Sequence, residues 1–141
     1  MAGNAALQRA KRQKNDEFYS RYEDVAEEVE HYVRFDPEQF RGKTILCPCD
    51  DPDRSAFTRW FRDNAERLGI VRVLSSCFVK GGHGRWEDWT PEKCLRGEWD
   101  GDGDFRSEEV SALKKRVDIV VTNPPFSLFR EFMAWLEPEQ G

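Results

Sequence analysis

Four consecutive residues, Asn123-Pro124-Pro125-Phe126, combine groups suited to handling an amino group. They follow directly on Val117-Asp118-Ile119-Val120-Val121, an apolar run that reads as a strand. Two prolines in succession stiffen the backbone and remove two N–H donors, leaving carbonyls to accept. An Asn side-chain oxygen beside a proline carbonyl makes a pair of acceptors that suits an exocyclic NH₂ group. An aromatic ring nearby can stack on the base that carries it. The competing explanation is a strand-ending turn made rigid by proline.

Two acidic turns stand upstream. Asp50-Asp51-Pro52-Asp53-Arg54-Ser55 follows the apolar run Thr44-Ile45-Leu46-Cys47, and Asp100-Gly101-Asp102-Gly103-Asp104 alternates acids with glycine. The second is reminiscent of the first half of a calcium-binding EF-hand loop. Its sixth position is Phe105 rather than Gly, however, and its twelfth is Ser111 rather than Glu. Calcium binding and a solvated acidic turn are therefore the alternatives to a binding role. No metal is expected elsewhere. His31 and His83 are far apart and lack metal-type spacing with cysteine, and Cys47-Pro48-Cys49 has one intervening residue with no matching pair after it. The four cysteines, Cys47, Cys49, Cys77 and Cys94, read as buried reduced thiols.

The elements that must position these groups alternate. Apolar residues at Tyr22, Val25, Ala26, Val29 and Val33 predict an amphipathic helix, ended by Phe35-Asp36-Pro37. The run 44–47 predicts a strand. A helix over 55–68 carries Phe57, Trp60, Phe61 and Leu68 on one stripe, with Gly69 as its stop. Residues 70–74 predict a second strand ending near Phe78. Residues 81–96 read as a loop or small hairpin anchored by Trp86 and Trp89. A helix fits 107–115, capped by Ser107 with Glu108 and Glu109 in its first turn. Strand 117–121 is the clearest in the chain, and a helix over 126–136 follows it. The alternation predicts an α/β fold with a mainly parallel sheet. Ligands on such sheets bind beyond the carboxyl ends of the strands. Asp50, the segment around Asp104, and Asn123 are all expected at that edge.

The tetrapeptide 123–126 is similar to the (Asn/Asp/Ser)-Pro-Pro-(Tyr/Phe) motif of amino-methyltransferases, with the Asn typical of the adenine enzymes. The longer string from Val120 to Phe129 resembles that of the EcoRI-type adenine-specific DNA methyltransferase family. So do Lys14-Asn15-Asp16-Glu17-Phe18-Tyr19, Cys49-Asp50-Asp51-Pro52 and Gly101-Asp102-Gly103-Asp104-Phe105-Arg106-Ser107. Four matches in family order make the resemblance specific. It implies a Rossmann-like S-adenosylmethionine-dependent methyltransferase sheet, incomplete here, holding the first four strands with flanking helices. A sheet order of 3-2-1-4 would leave the fourth strand as an exposed edge. The implied activity is site-specific methylation of adenine N6 in double-stranded DNA, within a restriction-modification setting. Asn123 and Pro124 would hold the target amino group, Pro125 would stiffen the motif, and Phe126 would stack on a flipped adenine. Asp104 would accept from the cofactor's adenine amino group and Phe105 would offer its backbone N–H. Cys49, Asp50 and Asp51 stand where a glycine-rich loop is usual, and either acid is a candidate for the cofactor's ammonium. Tyr19 and Ser20 resemble the segment touching its carboxyl end. The second strand ends Ser75-Ser76-Cys77-Phe78, without the acid that commonly holds the ribose.

At 141 residues the chain suffices for one domain: a basic arm over 1–15 followed by a methyltransferase portion over 16–141. Family members are longer. The alternatives are thus a truncated or split enzyme that needs a complementary C-terminal half, and a non-catalytic cofactor-binding module. The formal net charge of −5 is unusual for a stand-alone DNA binder, and it fits a chain whose basic DNA-contacting surface lies in that other half. Five Trp and ten Phe argue against disorder throughout. No apolar run reaches bilayer length, and the basic residues Arg9, Lys11, Arg12 and Lys14 precede no apolar stretch. A cytoplasmic protein without membrane partners is expected.

Overall fold

The computed structural model describes residues 21–121 and 129–136. Val25, Val29 and Val33 recur every fourth residue, and helix α1 (Tyr22–Phe35) buries all three on one stripe. The helix stops at Asp36, whose extended backbone suits a residue before proline. The Gln39 side-chain amide donates to the carbonyls of Tyr32 (2.6 Å) and Asp36 (3.0 Å), satisfying acceptors that the helix end leaves open.

Five strands form one sheet: β1 (Thr44–Cys47), β2 (Arg72–Cys77), β3 (Arg85–Trp89), β4 (Cys94–Glu98) and β5 (Ile119–Val120), in the order β4-β3-β2-β1-β5. β1 runs parallel to both β2 and β5, while β3 is antiparallel to β2 and β4 to β3. Among the described residues the sheet is therefore mixed, not mainly parallel, and it holds five strands where four were expected. The segment 81–96 supplies the difference. It forms most of a hairpin whose turn is closed by two backbone bonds between Thr90 and Lys93 (2.8 and 3.2 Å). β5 is shorter than its apolar run. Bonds on either side prolong its pairing with β1, from Asp118 N–H to Thr44 O (3.0 Å) and from Val121 N–H to Leu46 O (2.9 Å). Among the described residues it ends the sheet on that side.

Strand alternation divides the core in two. Ile45, Cys47 and Val73 face α1, α2 (Ala56–Asp63) and α3 (Ala65–Leu68), in a cluster that includes Trp60, Phe61 and Leu68. Leu46 and Leu74 face the opposite side. There they join Phe105, Val110, Leu113 and Trp135 beneath α4 (Glu108–Ser111), its 3₁₀ continuation Ala112–Arg116, and α5 (Phe129–Leu136). Helices thus cover both faces of the parallel strands, which explains why β1 and β2 read as unbroken apolar runs. The helix expected over 55–68 is broken at Asn64, whose side-chain amide donates to Trp60 O (2.9 Å). Gly69, at φ 75°, closes α3 in the left-handed conformation that the sequence anticipated. No helix among the described residues is long and apolar enough to cross a membrane.

Candidate functional site

The loop after β1 is tied down at every step. Pro48 is fully buried, and Asp50 and Asp51 are 3% and 5% exposed. Asp50 N–H donates to Ser76 O at the end of β2 (2.9 Å). Ser55 caps α2 by accepting from Thr58 N–H (3.3 Å), and it donates its hydroxyl to Asp50 Oδ1 (2.8 Å). Asp51 shapes the turn itself. Its Oδ1 accepts from Asp53 N–H (2.8 Å), and its carbonyl accepts from Arg54 (3.1 Å) and Ser55 (2.8 Å). The other carboxylate oxygen takes Arg85 of β3 at 2.5 Å. Both Asp51 oxygens therefore serve the loop.

The second acidic turn crosses the end of β2. Gly103 lies at φ 82°, and a Cβ there would stand 2.3 Å from Cys77 O. A Cβ on Gly84 would stand 2.4 Å from Gly103 Cα, so two glycine backbones are in direct contact. Val79 N–H donates to Asp102 O (2.8 Å) and Gly84 N–H to Gly101 O (2.9 Å). Glu109 accepts from the N–H groups of Asp100 (3.1 Å) and Gly101 (2.8 Å), and His83 Nδ1 lies 2.9 Å from the carbonyls of Trp99 and Asp100. Asp102 and Asp104 each turn a carboxylate back to a backbone N–H two residues on, at 3.0 and 2.8 Å. Among the described residues, no group of three or more His, Cys, Asp or Glu could hold a metal ion. The acids of this turn organise backbone.

Asp104 also meets the guanidinium of Arg106 through both oxygens (3.0 and 2.7 Å). That partner holds its carboxyl below the ordinary carboxylate range, so it remains an ionised acceptor at neutral pH. Phe105 is 4% exposed, its ring edge-on to Trp135 at 5.7 Å, while the Arg106 guanidinium sits 5.6 Å from the Phe105 ring centre. Cys49 is partly buried and packs against the cluster that contains Phe105.

Asp50, on the loop after β1, and the turn preceding Asp104 both bond or abut the last residues of β2. The structure thus brings the two predicted acidic segments to the carboxyl end of the parallel strands. Tyr19, Ser20 and all of Asn123, Pro124, Pro125 and Phe126 lie outside the described residues. The cysteines correct an expectation in part. Cys47 and Cys77 are buried, and burial pushes both thiols up, but Cys94 is exposed and Cys49 is only partly covered. Cys94 lies on the outermost strand, which nothing among the described residues covers on its far edge.

Sequence reasoning missed a chain of ion pairs beside the loop. Glu87, 1% exposed, accepts from Arg62 (2.6 Å) and Arg96 (2.7 Å). Arg96 reaches on to Asp53 (2.5 Å), and Arg62 to Pro52 O (3.1 Å). The signal available was the pairing of Glu87 with Arg96 across β3 and β4. It reads as a surface pair until Arg62 of α2 covers it.

The chain matches the family described as adenine-specific methyltransferase EcoRI over residues 6–94 and 92–139. It is 39% identical to the Type II methyltransferase M.EcoRI of Escherichia coli, over 94% of this chain and 45% of that protein. It is also 39% identical to the Type II methyltransferase M.MpnI of Mycoplasma pneumoniae, over 91% of this chain and 39% of that protein. The chain spans less than half the length of these relatives. No solved structure matches it significantly. With matches that run through nearly all of its length, the chain belongs to the EcoRI family of adenine-specific methyltransferases.

Proposed function

We propose that this chain is the cofactor-binding and amino-group-handling part of a DNA adenine-N6 methyltransferase, with a Rossmann-like sheet that binds S-adenosylmethionine at its carboxyl end. The observation that carries this reading is the meeting of the Asp50–Asp51 loop and the turn before Asp104 at the end of β2. Family membership supplies the reaction class.

The donor set suits the cofactor, which when bound supplies a methyl group on a cationic sulfur beside a cationic ammonium. Asp50 and Asp51, both buried on this loop, are the candidates for that ammonium. Asp104, kept ionised, can accept from an adenine amino group if Arg106 yields part of its hold. Phe105 lends an apolar wall. Asn123 and the Pro124 carbonyl would accept from the target amino group, turning its lone pair outward, and Phe126 would stack on the flipped base. None of these roles needs a deprotonated nucleophile. Double-stranded DNA is the proposed substrate, and a complementary C-terminal half is the proposed partner.

Calorimetric titration of the full chain with S-adenosylmethionine tests the cofactor reading. The parent should bind, and Asp104→Ala should bind roughly 10- to 100-fold more weakly, the loss expected for a charged acceptor. A folded parent that takes up no cofactor sinks the reading. Methyl transfer to duplex DNA should appear when a complementary half is supplied and vanish with Asn123→Ala.

A further inference from the structure

The antiparallel hairpin has charged residues at places where a sheet extension needs none. Arg85 opens β3 opposite Cys77, the last residue of β2, and its guanidinium reaches across to Asp51 (2.5 Å) and to Asp53 (3.4 Å). Glu87, two residues on and pointing to the same side, is buried between Arg62 and Arg96. A buried carboxylate is strongly penalised unless paired, so holding two guanidinium groups is the condition on which Glu87 can be buried at all. Those groups also grip the loop after β1, Arg62 at Pro52 O and Arg96 at Asp53. Three arginines from α2, β3 and β4 thus converge on Asp51, Pro52 and Asp53. The Asp51 carboxylate is 6% exposed, and the Arg85 guanidinium is the cation that meets it there.

We infer that Arg85 is a positioning residue for the loop after β1, acting through Asp51, with Glu87 anchoring the other two arginines around it. The hairpin is then a clamp that sets the shape in which Asp50 is presented, and it touches no substrate itself. The inference rests on the cofactor reading above for its purpose, but not for its geometry.

Two measurements on the full chain separate these. Amide hydrogen exchange reports the loop directly, because the N–H groups of Asp53, Arg54 and Ser55 are all held by Asp51. Arg85→Ala should speed their exchange about tenfold or more while leaving β1 and α1 unchanged, and Arg85→Lys should restore part of the protection by keeping the charge. Arg85 is 43% exposed, so the substitution opens no core cavity. Titration with S-adenosylmethionine should show affinity falling about three- to tenfold in Arg85→Ala, with partial recovery in Arg85→Lys; the partial exposure of the Arg85 side chain keeps the loss from being larger. Unchanged exchange at residues 53–55 overturns the inference whatever the cofactor does. Faster exchange with unchanged affinity in a parent that binds overturns the positioning of the site. Faster exchange in a parent that binds no cofactor upholds the clamp and refutes the cofactor reading instead.

Discussion

The two sides of the sheet are built on different principles. Where β1, β2 and β5 run parallel, helices cover both faces, and side chains such as Phe61, Ile45 and Val110 are sealed from water by apolar neighbours. Where β3 and β4 continue the sheet, four of five residues in β4 are exposed, and the best-buried side chain of β3 is a glutamate. The first half is stabilised by area removed from water, which is large and indifferent to direction. The second is held by charged hydrogen bonds, which are smaller in sum but specific in angle. The acidic loop lies where the two meet. Apolar burial supplies the platform, and the charged side sets the loop's shape.

The sharpest way to break this comparison is to cut into each half. Phe61→Ala should lower unfolding free energy by about 3–5 kcal/mol in urea titrations, as large core truncations do. Leu95→Ala on β4, where the side chain is already half exposed, should change it by less than about 0.5 kcal/mol. Comparable losses at the two positions would show that the hairpin shares the core's support after all.

An intermediate effect is expected at the crossing of the turn over β2. Gly103→Ala combines an unfavourable positive φ with a collision against Cys77 O, whereas Gly81→Ala meets the same φ with nothing within 4 Å. Gly103→Ala should lower Tm by about 5–10 °C and Gly81→Ala by clearly less, in thermal melts followed by circular dichroism. Equal shifts would mean that the close approach of the two backbones contributes nothing.

The smallest effect concerns pH. Arg106 depresses the folded-state pKa of Asp104, so the pair's contribution is present above the unfolded carboxyl pKa, near pH 3.9, and is lost as pH falls through the lower folded value. Tm of the parent should exceed that of Asp104→Asn by a constant margin from about pH 7 to pH 5, and the margin should close below about pH 4. A margin that instead widens on acidification would show that Arg106 is not the partner that matters.

Most of the parallel side was legible in the sequence. The valines of α1, the run at 44–47 and Gly69 each carry a local signal whose meaning does not depend on distant residues. The charged side was not, and the reason is physical. Glu87 looks like a surface residue because its burial depends on Arg62, 25 positions away, and on Arg96, and nothing near Arg85 in sequence announces its partner Asp51, 34 positions away. Glu108 and Glu109 were placed in a first turn as helix-favouring acids, and Glu109 is also the acceptor that fixes Asp100 and Gly101. The sheet pattern placed the segment around Asp104 at the carboxyl edge and the resemblance singled Asp104 out as a candidate, but its attachment to Arg106 followed from no pattern. Strand 117–121 was overestimated because apolar composition does not tell how many residues find a partner.

The contact between Gly84 and Gly103 restricts how this sequence can drift. The three atoms nearest to a Cβ on Gly84 all belong to the backbone of Asp102 or Gly103, so no replacement at the second glycine could make room for a change at the first. Ordinary compensation, in which one side chain shrinks as its neighbour grows, is closed to this pair. Relatives that abandon either glycine are expected to have changed the length of the loop at 81–84 or of the turn at 100–104. Variation here should appear as insertions and deletions, not as substitutions.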